Sequence, residues 1–403
     1  MFRAIAPLLL VLAPVPSRAL AQPSALRVAD QPARVIPFEL HENRIYLQVS
    51  GPGFGPRWFL LDSGAQATHF TSELVREAGL RTAGRVGISG VGTGRIRGAY
   101  VAPTTLTIGG LQLPVRRGVS GPAEAVFGSI FSGSGRRFDG VLGYDLFAAY
   151  SVQIDYRGRQ LRLYRPGGHP RSSTAETLPI RIVDKKPYAT AMIPVGGKTL
   201  SANLHLDIGF GGALALNSGF VASEGLLQRV GPTLQSTMGG VGGVSGSRTG
   251  RLEAVMLGRL RIMRPVAVMA LVQGAGVRRD SDGWIGGDLL RRFTVTIDYR
   301  TRTVMLDPNA ALSEPFEADM SGLGLAWEGQ RGILVSSVAE ATPGAEAGVQ
   351  RGDRLIAVDG VSAGTRTMEE IRRLLRREGE ERELLLQRDG QQVRARFRLR
   401  RRL

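Results

Sequence analysis

The stretch Phe59-Leu60-Leu61-Asp62-Ser63-Gly64 places an ionisable residue directly after three apolar ones. The apolar residues predict the end of a buried strand, so that Asp62 would lie where the strand leaves the core. A charged carboxylate is costly to bury unless other groups stabilise it, and this position therefore favours a functional role. Asp, Ser and Gly also suit turns, and the triplet alone would indicate only a turn after a strand.

The same environment occurs a second time in the chain. Leu204-His205-Leu206-Asp207-Ile208-Gly209 again brings an Asp and then a Gly out of an apolar run. Farther on, residues 139–157 align without gaps with residues 282–300, which lie 143 positions later, and ten of the nineteen pairs are identical. An internal duplication is a stronger signal than either triplet, and it predicts two similar lobes that each supply one Asp.

The paired pattern resembles the aspartic proteases of the pepsin and retropepsin type over about residues 35–308. The resemblance implies a mostly β, two-lobed fold built from duplicated β lobes, with Asp62 and Asp207 as the catalytic pair. It also implies that Val141-Leu142-Gly143 and Trp284-Ile285-Gly286 form strands beside the catalytic loops.

The second triplet departs from the family pattern. The resemblance implies that the hydroxyl of Ser63 bonds across the lobe interface, but the matching position holds Ile208, which cannot donate a side-chain hydrogen bond. One half of this interlobe brace is therefore expected to be missing. The departure leaves open a second hypothesis, a non-catalytic peptide-binding or scaffold protein with a degenerate protease fold.

A glycine-rich segment follows each Asp, at residues 87–98 and 239–250. Between strand-like flanks, such a cluster predicts a β-hairpin that folds over a cleft. The resemblance makes at least the first hairpin a flap, whose tip residues are Gly90, Val91, Gly92, Thr93 and Gly94. The Tyr that pepsin-like flaps carry near the tip is missing here.

The pattern changes after about Glu314. A Gly-Leu-Gly-Leu loop at 322–325, an Ala-Gly-Val-Gln-Arg-Gly-Asp turn at 347–353 and an amphipathic run near Ile371 resemble a PDZ domain of bacterial periplasmic proteases. We assign residues 315–403 to this α+β domain. The resemblance implies that backbone N–H groups of Leu323, Gly324 and Leu325 bind a peptide C-terminal carboxylate. Apolar Leu325 and Ile371 favour an apolar last residue of that peptide.

The start of the chain has the pattern of a secretory signal: Arg3, an apolar region from Ile5 to Val15, and Ala19-Leu20-Ala21 before the expected cleavage point. No later run approaches the roughly 18 apolar residues that a membrane span needs. We expect a bacterial protein that is periplasmic or secreted. The predicted divisions are a signal peptide at 1–21, a leader at 22–34, lobes at 35–165 and 177–310, a linker at 166–176, and the PDZ domain at 315–403.

Composition narrows the possible partners. The net charge is +17, but the Arg residues are scattered and few aromatic residues lie among them, which favours a basic solvated surface over a nucleic-acid site. The chain has no Cys, and its four His show no metal-ligand spacing, so we expect neither a metal site nor a cofactor. The expected partners are peptides or unfolded proteins at the cleft and peptide C-termini at the PDZ domain, with the chain as a monomer.

Two carboxyl groups about 3 Å apart cannot both ionise easily, so they share a proton. One then takes a proton from water while the other donates to the peptide carbonyl oxygen, and our first hypothesis is therefore an aspartic endopeptidase. Ala65 and Phe210 follow the two glycines, and neither offers a hydroxyl to the ionised carboxylate. We therefore expect higher apparent pKa values and a pH optimum shifted towards neutrality relative to pepsin-like enzymes.

Overall fold

The structure, a computed structural model, describes residues 31–403, which form four β-sheets and eight α-helices. The strands of the first half are β1 (Arg34–Pro37), β2 (Glu39–His41), β3 (Arg44–Gly51), β4 (Phe54–Leu61), β5 (His69–Thr71), β6 (Thr82–Ile88), β7 (Ile96–Val101), β8 (Thr104–Ile108), β9 (Leu111–Val115), β10 (Gly118–Gly121), β11 (Gly140–Leu142), β12 (Ser151–Asp155) and β13 (Gln160–Tyr164). The helices of this half are α1 (Ser72–Glu77), α2 (Ala123–Ser134) and α3 (Tyr144–Ala149).

The second half repeats this plan. Its strands are β14 (Glu176–Pro179), β15 (Arg181–Val183), β16 (Lys186–Val195), β17 (Lys198–Leu206), β18 (Leu214–Leu216), β19 (Thr233–Gly240), β20 (Gly243–Arg251), β21 (Ala254–Leu257), β22 (Leu260–Met263), β23 (Val266–Ala270), β24 (Gly283–Ile285), β25 (Phe293–Asp298) and β26 (Thr303–Pro308). Its helices are α4 (Ser218–Ser223), α5 (Leu226–Arg229) and α6 (Gly287–Leu290).

Two ten-stranded sheets form the lobes and share one topology. The first has the order β6-β7-β10-β5-β11-β4-β3-β8-β9, with β2 paired to β3. The second has the order β19-β20-β23-β18-β24-β17-β16-β21-β22, with β15 paired to β16. Each strand of one sheet has a counterpart in the same place in the other, so the two lobes predicted from the duplicated sequence are confirmed.

The apolar run before each Asp is buried because its strand lies between two others. β4 pairs with β3 on one side and runs parallel to β11 on the other, and Phe59, Leu60 and Leu61 are at most 1% exposed. β17 lies in the same way between β16 and β24. A strand buried on both faces carries a continuous apolar run rather than an alternating one, as both stretches do.

A third sheet joins the lobes, with the order β1-β13-β12-β25-β26-β14. The strands β12 and β25, one from each lobe, pair antiparallel at its centre. Gln153 lies opposite Thr296, and its side-chain amide donates a 3.3 Å hydrogen bond to the Thr296 hydroxyl. The lobes are therefore connected by a continuous backbone ladder and not by a linker alone.

The C-terminal part forms a separate α+β unit with its own apolar core. It contains the strands β27 (Leu323–Trp327), β28 (Ile333–Val338), β29 (Arg354–Val358), β30 (Val361–Ser362), β31 (Glu381–Arg388) and β32 (Gln391–Arg398) and the helices α7 (Pro343–Glu346) and α8 (Met368–Leu374). Three short 3-10 helices lie at Ala310–Ser313, Gly329–Arg331 and Ala363–Thr365. The sheet order is β27-β28-β29-β31-β32, with β30 paired to β29.

Helix α8 begins with a capping box, in which the Thr367 hydroxyl accepts from the Glu370 N–H and the Glu370 carboxylate accepts from the Thr367 N–H.

The mostly β, two-lobed fold with a C-terminal α+β domain is confirmed. The predicted signal peptide at 1–21 and most of the predicted leader at 22–34 lie outside the described residues. Between residues 31 and 403, no helix has the length and apolar character that crossing a membrane requires.

Candidate active site

The two lobes place Asp62 and Asp207 at equivalent positions, each directly after the last residue of a buried strand. The N–H of Asp62 donates to Leu142 O at 2.9 Å, and the N–H of Asp207 donates to Ile285 O at 2.8 Å. These acceptors end β11 and β24, the short strands that run parallel to β4 and β17. The same local sequence therefore fixes both carboxyl groups in the same way.

The two carboxyl groups meet at the lobe interface and are hydrogen-bonded to each other. Asp62 Oδ1 also accepts from Gly64 N–H at 2.6 Å, and Asp207 Oδ1 accepts from Phe210 N–H at 3.1 Å. A Cβ on Gly209 would lie 2.5 Å from Asp62 Cγ, so any larger residue there would displace the carboxyl group. Glycine at this position is what allows the opposite Asp to approach so closely.

Burial raises the pKa of both carboxyl groups. For Asp62, hydrogen bonds and nearby positive charges oppose this increase, whereas for Asp207 the negative charge of Asp62 adds to it, so the pKa of Asp207 lies well above its ordinary value. The positive charge of Lys186 lowers the pKa of both groups but does not cancel the effect of burial. Between its two apparent pKa values, such a pair holds one proton.

Ser63 is fully buried, and its hydroxyl bridges the lobes through two hydrogen bonds. It donates to Leu206 O at 2.6 Å and accepts from Ile208 N–H at 3.1 Å. The equivalent side chain, Ile208, is also fully buried and packs in the main apolar core. The Ser63 hydroxyl therefore makes both of these interlobe hydrogen bonds, at the position where the sequence predicts a brace.

Ser63→Ala is expected to lower the free energy of unfolding by about 1–3 kcal/mol, because Leu206 O and Ile208 N–H would stay buried without a partner. We expect about a tenfold decrease in any hydrolytic kcat/KM, since the carboxyl pair would be held less rigidly. Urea unfolding of the full chain measures the first effect, with Ser173→Ala on the exposed linker as the matched control. Equal stability of the two variants would contradict a bracing role.

Both hairpins close over the cleft and meet at their tips. Gly92 N–H donates to Val241 O at 3.0 Å, and Gly94 N–H donates to Gly242 O at 2.9 Å. The tip of the first hairpin also accepts from the 274–276 loop, through Ala275 N–H to Gly92 O and Gly276 N–H to Gly90 O, each at 2.8 Å. Among the other tip residues, Val91 lines the cleft and Thr93 is exposed. The roof is thus built from both lobes by backbone bonds.

Two basic residues at the cleft were missed by the sequence reasoning. Arg44 Nε donates to Gly209 O at 3.0 Å, directly beside the second Asp loop. Lys186 occupies the equivalent place in the other lobe, and both side chains line the cleft. The signal was present in the sequence, because each lies two residues before a Tyr in the duplicated strand, at Tyr46 and Tyr188.

The histidines beside the pair are neutral. Burial is the largest effect on both, and it lowers the pKa of His69 to about 4 and that of His205 to about 3. His205 lies two residues before Asp207, where the first lobe has Leu60, and its Nε2 has no hydrogen-bond partner within residues 31–403. Neither ring carries a positive charge near neutral pH. Among the described residues, no group of three His, Asp or Glu side chains could hold a metal ion.

In the C-terminal domain, the four residues assigned to peptide binding lie together. Leu323, Gly324 and Leu325 belong to β27, and Ile371 lies on α8, which packs beside it. The Leu323 N–H donates to Ser321 Oγ at 3.2 Å, which occupies one of the three donors expected to bind a carboxylate. Leu325 is 8% exposed and Ile371 is fully buried, so both contribute mainly to the domain core.

Comparison with known families identifies two domains. Residues 47–146, which contain Asp62, Ser63 and the first hairpin, match the aspartyl protease family, and residues 334–388 match the PDZ domain family. The chain carries an aspartyl protease domain and a C-terminal PDZ domain. Asp207 lies outside the matched residues and is related to Asp62 by the repeated sheet order and equivalent hydrogen bonds. No curated relative matches the chain.

The cleft of the protease domain has a volume of about 590 Å³, and both lobes contribute apolar and polar side chains to its wall. The first lobe contributes the apolar residues Leu60, Val86, Ile88, Val119, Phe127, Ile130 and Val141, and the second contributes Phe210, Met238, Val241, Val277 and Trp284. Basic side chains also come from both lobes, Arg44 and Arg117 from the first and Lys185, Lys186 and Arg278 from the second. The carboxyl pair lies between the two lobes, below the joined hairpin tips.

Proposed function

We propose that the protein is an aspartic endopeptidase in which Asp62 and Asp207 activate a water molecule and polarise a peptide carbonyl. The observation that carries the proposal is the hydrogen-bonded carboxyl pair, delivered by duplicated strands to the floor of a roofed cleft. The pair starts the cycle with one proton, which the proposed mechanism places on Asp207 because the negative charge of Asp62 adds to burial in raising the Asp207 pKa.

A water bound between the carboxyl groups gives a proton to Asp62 as its oxygen attacks the peptide carbon. Asp207 donates its proton to the carbonyl oxygen, so a neutral gem-diol forms and no oxyanion has to be stabilised. Collapse of the diol breaks the C–N bond, and Asp62 passes its proton to the leaving nitrogen while Asp207 regains one from a diol hydroxyl. The two hairpins exclude bulk water during these steps.

The cleft favours substrates with large apolar side chains. Apolar residues of both lobes line it, and burial of an aliphatic or aromatic substrate side chain against them is favourable. Arg278 already pairs with Asp184 and with Asp280, so it offers little free charge to an acidic substrate side chain. We further propose that the protein is exported by its N-terminal signal, and that unfolded proteins or peptides are its substrates.

The test is hydrolysis of a panel of internally quenched peptides and a denatured protein by the full chain, measured from pH 3 to pH 8. We expect cleavage beside a large apolar residue, and competitive inhibition by a peptide that carries a hydroxyethylene group at the scissile position. This group mimics the gem-diol and therefore binds the carboxyl pair more tightly than substrate does. Absence of turnover across the panel and the pH range would reject the proposal.

Ile208 favours a second candidate, a peptide-binding protein that does not cleave. Only Ser63 supplies a hydroxyl to the interlobe brace, because Ile208 has none, and a brace from one lobe holds the carboxyl pair less rigidly than one from both while the cleft still accepts a peptide. The same peptide panel separates the candidates. Saturable binding to the cleft without products at any pH would support the binding protein.

Lys186→Met is expected to move the pH–rate profile to higher pH. The positive charge of Lys186 lowers the pKa of both Asp62 and Asp207, so its removal raises both values and shifts both limbs in the same direction. The control is Lys198→Met, which changes an exposed Lys on β17 away from the cleft. Identical profiles for the two variants would show that Lys186 does not act on the carboxyl pair.

A further inference from the structure

The peptide groove of the PDZ domain, between β27 and α8, contains part of the same chain. We propose that residues 129–135, at the end of α2, occupy this groove as an internal ligand, and that a peptide with a free C-terminal carboxylate displaces them and loosens the roof of the protease cleft. The effect on rate rests on the proposed protease function, whereas the displacement itself does not.

The first observation is that α2 occupies the edge that a bound peptide would need. β27 is the outermost strand of its sheet in the described part of the chain. Glu328 N–H donates to Gly332 O at 2.8 Å, which makes Trp327 a non-hydrogen-bonded position of the β27–β28 pair and points its carbonyl to the free edge. That carbonyl accepts from Ser132 Oγ at 3.0 Å.

The other wall of the groove binds the same segment. Arg372 on α8 donates to Gly133 O at 2.6 Å and to Leu325 O at 3.3 Å, so its guanidinium lies across the groove. A Cβ on Gly135 would lie 2.5 Å from Met368 Cγ, so the chain after α2 lies directly on the start of α8. A peptide strand added along β27 would need the positions of Ser132 and Gly133. The two occupants are therefore mutually exclusive.

The second observation is that α2 also supports the roof. Ser129, one turn before Ser132, donates a 2.7 Å hydrogen bond to Gly240 O in the second hairpin. A Cβ on Gly239 would lie 3.3 Å from Ser129 Cβ, which places the helix directly against that hairpin. Phe127 and Ile130 of the same helix line the cleft. Because Ala123–Ser134 is one continuous helix, movement of its end is transmitted to the hairpin and the cleft wall.

The third observation is a second connection between α8 and the active site. Arg372 forms a 3.2 Å ion pair with Glu42, whose N–H donates to Glu369 at 3.1 Å. The next two residues reach the loop of the second catalytic Asp: the Asn43 side-chain amide donates to Gly211 O at 3.0 Å, and Arg44 donates to Gly209 O. Helix α8 is thus connected to the Asp207 loop through residues 42–44.

These contacts define the direction of the effect. With α2 in the groove, the second hairpin is held by Ser129 and its tip is bonded to the first hairpin, so the cleft is closed to a long substrate. A ligand that binds only the vacated groove shifts the population towards the form with a released hairpin. We therefore expect the ligand to increase kcat/KM mainly through a lower KM, because substrate entry becomes easier.

The test uses the full chain and two versions of one octapeptide ending in Leu, a free acid and an amide. The substrate is an internally quenched peptide with an amidated C-terminus, so that it does not enter the groove. The free acid is expected to increase kcat/KM about fivefold, within the range of typical couplings between sites, and the amide is expected to have no effect. Binding of the free acid without a change in rate would overturn the coupling to the cleft.

Three serine variants locate the effect. Ser132→Ala removes the bond to Trp327 O and is expected to tighten free-acid binding about fivefold, because the internal ligand is weakened by about 1 kcal/mol. Ser129→Ala is expected to raise the rate without peptide and to reduce the further increase that the peptide causes. Ser173→Ala, on the exposed linker, is the control and should match the native protein. Identical behaviour of all three would reject the role of α2.

A measurement without catalysis separates this inference from the proposed function. In the Asp62→Asn protein, the free acid is expected to increase amide hydrogen exchange at residues 129–135 and 239–243, and the amide is not. This result would support the displacement even in a protein that cleaves nothing. Unchanged exchange at both segments under saturating free acid would overturn the displacement, whatever the protein hydrolyses.

Discussion

Replacement of either Asp62 or Asp207 by Asn is expected to abolish peptide hydrolysis, with a decrease in kcat/KM of at least about 10³-fold. The two carboxyl groups are hydrogen-bonded to each other, and in the proposed mechanism they share one proton, so an amide at either position removes the base or the acid. The measurement is turnover of an internally quenched peptide at several pH values. Each variant alone should be as inactive as the double variant, because the pair acts as one unit. A single variant that retains a tenth of the native rate would contradict the shared role.

The Asp207→Asn variant also tests the raised pKa of Asp207 through stability, without any measurement of activity. Burial and the charge of Asp62 raise the pKa of Asp207 in the folded protein, so the folded state favours the protonated carboxyl. Native stability from this group is present at low pH and is lost as the pH rises from the unfolded value, about 4, to the raised folded value. Asp207→Asn does not ionise and should therefore lose less stability than the native protein between pH 4 and pH 8. Thermal unfolding at the two pH values measures this difference.

Arg292→Met is expected to lower the free energy of unfolding by about 3 kcal/mol or more, the largest stability effect that we predict. Arg292 has no solvent exposure and holds several backbone carbonyls, while its guanidinium stacks on Phe316 with 3.5 Å from Cζ to the ring centroid. Its donors reach Asp288 O at 3.1 Å, Ala311 O at 2.9 Å and Pro315 O at 3.3 Å, and also Glu314 O. Met fills similar space but leaves these carbonyls without a donor.

The adjacent residue provides a matched control for this prediction. Arg291 is about one quarter exposed, and its side chain pairs with Asp288 at 3.0 Å and with Glu314 at 2.7 Å near solvent. Arg291→Met should cost about 1 kcal/mol or less, because exposed ion pairs contribute little. Urea unfolding of both variants gives the comparison. Equal losses of unfolding free energy would show that burial of the Arg292 guanidinium does not add to its contribution to stability.

The position of each Asp could be predicted from sequence because the signal is local. A run of consecutive apolar residues indicates a buried strand without knowledge of the rest of the fold, and the duplication provides a second copy of this pattern for comparison. The strand beside the first Asp was predicted at Val141-Leu142-Gly143 and is observed at Gly140–Leu142. The observed strand lies one residue earlier than the predicted one, because Gly143 is outside the sheet as the N-cap residue of α3.

Contacts between distant parts of the chain could not be predicted in this way. Helix α2 carries its large apolar residues at helical spacing, but the small residues Ser132, Gly133 and Ser134 at its end give no indication that this end would lie on the PDZ domain. The closed roof depends on bonds between glycines of two separate hairpins, such as Gly92 and Val241 O, which composition alone does not pair. The placement of Arg44 beside Gly209 O likewise depends on how the two lobes pack.

The antiparallel pair β12–β25 determines how a single lobe would behave without the other. Gln153 and Thr296 correspond to each other in the duplication, and these two residues lie opposite each other in the ladder. The strand of one copy is thus paired with its own repeat about a local twofold axis. A single lobe produced alone would present an unpaired edge that is complementary to itself, and it should associate into symmetric dimers through that edge.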